Sequence, residues 1–448
     1  MIDATMNIDY RYTFSDFTNH LSTVDIVDHR RGDHFYRLKT RVNDSMLTRT
    51  NVGALNPIWA DLIDLMTAVF TADWLLSRDL AASRHILVSL PLRNPNVFQH
   101  DHQHLQELLR WYTDDAWTFD FRQRSSARRI SEKQPKLKFP TRRREIALWS
   151  GGLDAYAGVR YRIYHGSASA YTLVGSGSNK TVRGKQKELA EAVQGIYSSR
   201  KRIDFIQIPF DFEYGTTLKP PQNKLFRARG FVFKLCGAIC ALLQNQSTLH
   251  IYENGYGAFN LPFTQSDIAL AHTRSVHPIS LIKMGQFVSS VVEQPFRYEN
   301  PFLFTTKAEM CRIITDHPNL AFNTSSCDSP QRKKQRQCGA CSSCLLRRLS
   351  LNIAFGEDAT PYTRNNQLKK SPSSHFRAMD IQAERIVAIF DSENPWLSWL
   401  TLYPEFRQWV PCIAEDQKQN VIDIQTKVMD LYAQHAQEWL SARHLLKQ

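Results

Sequence analysis

No apolar run in this chain is long enough to cross a membrane. The best, Gly230 to Leu243, is about 14 residues long and carries Lys234, which suits a buried helix. The opening residues, MIDATMNIDYRYTF, have neither a basic head nor an apolar core, so no secretory leader and a cytoplasmic protein are expected. Internal repeats are absent. Two nucleotide signatures fail on reading. GSGSNKT, Gly175 to Thr181, has Asn179 where the Walker A motif needs glycine, and Lys180 where the dinucleotide fingerprint needs its third glycine. Residues 1–121 carry no catalytic motif, and their lone histidines and paired aspartates fit caps and surfaces.

What is present is an ordinary globular composition over 448 residues, enough for two to three domains. The net charge of +13 is local. Arg122 to Arg144 holds ten Lys/Arg against Glu132, and Cys327 to Arg348 holds six against Asp328. Such stretches suit nucleic acid, phosphates or an acidic partner, or are simply a solvated linker and loop. Of eight cysteines, four crowd into Cys327 to Cys344, while Cys236, Cys240, Cys311 and Cys412 lie in apolar or helical settings as buried thiols.

Periodicity predicts five regions. Residues 1–121 read as an α+β unit, with helices over PIWADLIDLMTAVFTADWLLSR and DHQHLQELLRWYTDD and strands over RHILVSLPL and AWTFDF. Residues 122–144 read as a basic linker. From 145 to 320, strands (EIALWS, SAYTLVGSG, RIDFIQIPF, TLHIYENG) alternate with helices (LDAYAGVRYRIYHG, GKQKELAEAVQGIYSS, FRARGFVFKLCGAICALLQNQ). That alternation predicts an α/β fold, a parallel sheet with helices on both faces, and a ligand site at the strands' carboxyl ends. Residues 321–355 hold the cysteines, and 356–448 read as helical, anchored by Trp396, Trp399 and Trp409.

Two motifs carry chemistry. In ALWSGGLDAYAG, Ala147 to Gly158, Gly151 and Gly152 follow a strand and open a helix, so the backbone can approach an anion at a helix N-terminus. Ser150 adds a hydroxyl and Asp154 a carboxylate about one turn later. Downstream, Cys327-x10-Cys338-x2-Cys341-x2-Cys344 offers four thiolates, a closed tetrahedral set that suits a structural Zn2+. An iron–sulfur cluster is the alternative metal group.

SGGLDA resembles the SGGxD[ST] loop of the PP-loop ATPases (N-type ATP pyrophosphatases), with Ala155 in place of the final hydroxyl. Loop and cysteines together resemble the 7-cyano-7-deazaguanine synthase family across about residues 145–355: Thr324-Ser325-Ser326-Cys327, a spacer, then Cys338-Gly339-x-Cys341-x-x-Cys344 and Arg347. FRARG (Arg227, Arg229) and NPFLFTTKAEM (Lys307, Glu309) fall in the expected order. ENG (Glu253 to Gly255) replaces the family's Gly-x-Asn turn. With AHTRSVHP (Ala271 to Pro278) and the extra N-terminal unit, it resembles the QueC-like branch found in bacterial anti-phage defence systems, the QatC-like proteins.

The resemblance implies a PP-loop fold that uses ATP and Mg2+. Ser150, Gly151, Gly152, Leu153, Asp154, Arg227 and Arg229 would bind ATP, and Asp154, Lys307 and Arg274 would be catalytic. Glu253, Asn254 and Asp267 would read a guanine-like edge, whose adjacent N–H donors call for a carboxylate. The implied reaction adenylates a 7-deazaguanine carboxylate and passes it to an amine, on a protein partner from the same defence operon. Alternatives stay open: nitrile synthesis with ammonia, tRNA modification with the basic linker tracking phosphates, or a degenerate nucleotide-binding scaffold. No glutaminase domain or catalytic Cys–His pair is visible.

Overall fold

The computed structural model describes residues 8–18, 21–43, 55–76, 78, 83–125, 143–177, 179–214, 219–223, 226–263, 274–328, 337–363 and 373–447. Its strands are β1 (Tyr10–Phe14), β2 (Leu21–Asp28), β3 (His34–Val42), β4 (His85–Leu92), β5 (Ala116–Gln123), β6 (Arg144–Leu148), β7 (Ala170–Gly177), β8 (Arg202–Tyr214), β9 (Thr248–His250) and β10 (Arg297–Glu299). They form one 10-stranded sheet in the order β10-β9-β6-β7-β8-β3-β2-β1-β4-β5. From β10 to β8 every pairing is parallel. The order reverses between β6 and β9, the doubly wound arrangement whose ligand crevice opens at that switch point.

Alternation along β6 sorts the two faces. Ile146 and Leu148 join one core with the helices Arg229–Leu243 and Pro278–Val292. Ala147 and Trp149 point to the other core, with the helices Leu153–His165 and Lys180–Tyr197. Helices therefore cover both faces of this half, as the strand–helix alternation implies.

The N-terminal unit continues the same sheet. β8 runs past the expected end at Phe210 to Tyr214, and its last residues pair antiparallel with β3, Leu38↔Tyr214 to Val42↔Phe210. The helix Pro57–Trp74 packs on Arg229–Leu243, so the two halves share an apolar core. Buried ions reinforce the join: fully buried Arg84 pairs with Asp73 and Asp115, and Asp73 also accepts from the Ala228 N–H. The ends of the 122–144 stretch belong to β5 and β6, and 126–142 lie outside the described residues.

The C-terminal helices Ser374–Phe390, Pro395–Leu402, Phe406–Gln417 and Val421–Ala442 build a second core around fully buried Trp399 and Trp439, with Trp396 and Trp409 half-buried against it. No described helix is long and apolar enough to cross a membrane.

Candidate active site and cysteine centre

The loop after β6 lies at the sheet's carboxyl end, beside the switch point. Gly151 has φ +75°, a left-handed conformation that favours glycine. Gly152 is held by Ser150, whose Oγ accepts from the Gly152 N–H at 3.1 Å, and a Cβ at Gly152 would stand 3.4 Å from the Ser325 carbonyl. The Ser325 N–H in turn donates to the Gly151 carbonyl at 3.0 Å. The Thr324–Cys327 string is thus stitched directly to the glycine loop. Leu153 and Ala155 are buried in the apolar cluster behind the loop.

Asp154, buried in the first turn of the following helix, forms an ion pair with buried Lys307. Lys307 opens the short helix Lys307–Arg312, fixed by a Thr306–Glu309 capping box. Glu309 is therefore used in capping. From β9's end, the Asn254 amide reaches Asp154 Oδ2 at 3.4 Å and Glu253 Oε1 at 3.0 Å, while its carbonyl oxygen accepts from the Gly257 N–H. Asn300, unremarked in the sequence, clamps Glu253 on both sides: its amide donates to the Glu253 carbonyl at 2.9 Å and its oxygen accepts from the Glu253 N–H at 3.4 Å. Gly255 admits no side chain, because a Cβ would lie 2.1 Å from the Leu303 carbonyl.

Burial and the neighbouring Asp154 carboxylate push the Glu253 carboxyl well up. Burial lowers the Lys307 pKa, but Asp154 and Glu253 outweigh it and the net shift is upward. Asp154 Oδ1 is buried and accepts no hydrogen bond among the described residues. A buried acceptor-only oxygen fits a hard divalent cation, with Asp154 as the residue that would hold it.

The other expected site residues divide. Arg227 and Arg274 do not extend to this cluster. Both grip Asp114 at the end of the helix His102–Thr113, at 2.5 and 3.2 Å, and Arg274 stacks on Trp111 with its carbon 4.4 Å from the ring centre. His277 of the same string caps the helix Pro278–Val292 and packs edge-on to Trp409, 4.3 Å between centroids. Arg274 to Pro278 is thus an architectural joint. Arg229 makes no hydrogen bond or ion pair among the described residues. Its side chain is exposed; desolvation lowers its pKa, partly opposed by Asp328. Asp267 lies outside the described residues. A groove of about 420 Å3 between β10 and the helices Pro278–Val292 and Phe406–Gln417 contains none of the loop residues.

Cys327, Cys338, Cys341 and Cys344 bring their sulfurs within 4.8 Å of one another, so they could hold a metal such as zinc. The Ala340 and Cys341 N–H groups point at Cys338 Sγ, at 3.4 and 3.3 Å, and Gly339 turns the knuckle at φ +80°. Hydrogen bonds from the neighbouring thiols, Cys327 first, hold the Cys338 thiol far down. The basic reading of this segment needs correction at two residues. Fully buried Arg347 donates to Thr324 Oγ1 at 2.7 Å and to the Ala321 carbonyl at 2.7 Å, and buried Arg348 donates to the Gly339 carbonyl at 3.3 Å. Neither is a solvated charge. Arg332, Lys333, Lys334 and Arg336 lie outside the described residues.

The model of the family described as "Queuosine biosynthesis protein QueC" matches residues 279–354, a span that holds Lys307 and all four cysteines. No curated protein matches the chain. The match supports a QueC-like family for this segment, which packs directly against the glycine loop.

Proposed function

We propose that the protein is an AMP-forming PP-loop ligase of the QueC-like kind. The observation that carries this reading is the Ser325–Gly151 hydrogen bond. It joins a segment matched to QueC to a glycine loop at the switch point, where the Asp154–Lys307 pair also stands. The loop's backbone would hold the ATP phosphates, and Mg2+ would supply charge neutralisation beside Asp154. Arg229, with no ion pair among the described residues, would meet further negative charge.

The substrate is a 7-deazaguanine carboxylate. Its oxygen attacks the α-phosphorus, pyrophosphate leaves, and the acyl-adenylate carbon then meets an amine with loss of AMP. Lys307 neutralises charge that develops on the phosphates. Glu253 and Asn254 face the same cluster and would read the base edge. The acceptor amine belongs to a protein partner of a defence system.

The test is intact mass of a co-expressed partner, with and without Asp154→Ala, alongside release of AMP and pyrophosphate. A deazaguanine-sized adduct that vanishes in the variant supports the reading. Free nitrile and an unmodified partner would overturn the transfer step, and no AMP formation with any deazaguanine acid would overturn the ligase.

A further inference from the structure

At the end of the sheet away from the glycine loop, the amino ends of β6, β7 and β8 gather basic and aromatic side chains. Their register fixes the neighbourhood: Arg144 pairs with Ala170, and Ala170 with Arg202. The Arg143 carbonyl accepts from the Ser169 N–H at 2.8 Å, and Lys201 donates to the Ala168 carbonyl at 2.7 Å. Next along, the Arg200 guanidinium lies 4.5 Å from the Tyr164 ring centre, and Arg160 approaches the same ring at 4.5 Å. Tyr161 and Tyr164 are 36% and 39% exposed, Tyr161 resting on His165 and Phe302 with ring centres 4.6 and 5.4 Å away.

The charge does not cancel. Arg143 and Arg200 have no carboxylate partner among the described residues. Arg144 and Arg202 share the single Asp204, and Arg160 takes Asp316.

We propose that this surface binds single-stranded nucleic acid. Guanidinium and ammonium groups would follow the phosphates, and the exposed tyrosines and the flat Arg200 face would stack on unpaired bases. The aromatic groups favour unpaired bases over a duplex, whose bases are already stacked, and over an acidic peptide, which has no flat rings to offer. Because the surface lies at the strands' amino ends, it would act independently of the glycine loop, and its failure would leave the ligase reading untouched.

The test is fluorescence anisotropy of the full chain with labelled 20-nucleotide single-stranded RNA, single-stranded DNA, duplex DNA and poly-glutamate, across a salt series. Arg143→Glu/Arg200→Glu should weaken single-strand binding by at least about tenfold and flatten its salt dependence. Tyr161→Ala should weaken it about fivefold or more with the salt slope unchanged. Thermal melts and ATP turnover should match the parent chain. The two single-strand arms tell RNA from DNA. The proposal is overturned if no single strand binds at low salt, if the reversed variant binds as the parent does, if duplex binds as tightly as single strand, or if only poly-glutamate depends on these residues.

Discussion

Asp154 and Lys307 are a buried pair, so each holds the other's charge inside the protein. Replacing Lys307 by Met strands a buried carboxylate and should cost about 3–5 kcal/mol of stability, measured by chemical denaturation. The double variant Asp154→Leu/Lys307→Met should recover much of that loss while remaining inactive. Equal destabilisation in single and double variants would show that the pair is not coupled. His435 gives a pH signature of its own. It is buried, stacked 3.7 Å from Tyr256, and desolvation lowers its pKa from 6.5 to about 3. The unfolded chain takes up a proton near pH 6.5 that the folded chain refuses. Stability from this group is therefore full above that value and is lost as pH falls toward 3. Between pH 7.5 and 5 the loss is about 2 kcal/mol, and His435→Gln should remove that part of the acid slope. An unchanged slope would reject the assignment.

Elements tie the cysteine centre to the glycine loop. Arg347 reaches from the cysteine helix Ser342–Phe355 to Thr324 and Ala321, and Ser325 reaches on to Gly151. Removing the metal should therefore disturb more than the knuckle. One zinc per chain is expected by elemental analysis, and stripping it or changing Cys344→Ser should lower Tm by more than about 5 °C and weaken ATP binding. Unchanged ATP affinity after stripping would show the two parts to be independent. Legibility follows the same lines. The glycine loop, the cysteine spacing and the strand–helix alternation were readable because each is local chemistry or local period. FRARG does not show that its two arginines part: Arg227 precedes the helix and turns to Asp114, while Arg229 opens it and is exposed. Asn300 carried no signal, since its work is backbone hydrogen bonding to a residue far away in sequence.

At the scale of the molecule, the β3–β8 pairing was not visible because nothing local reports which of two distant strands will meet. It makes the N-terminal unit part of the protein's core. A chain starting at residue 143 would lose the partner of β8 and uncover Phe210, Phe231 and their neighbours. Expressed alone, 143–448 should aggregate or melt well below the full chain; a soluble fragment with the parent Tm would contradict a shared core. The same continuity restricts how the site can close. Two lobes on a hinge swing only where few hydrogen bonds cross between them, and here a continuous ladder and the buried Arg84 network cross. On the proposed function, substrate capture would then fall to local rearrangement at the strands' carboxyl ends and not to a swing of one half of the sheet against the other.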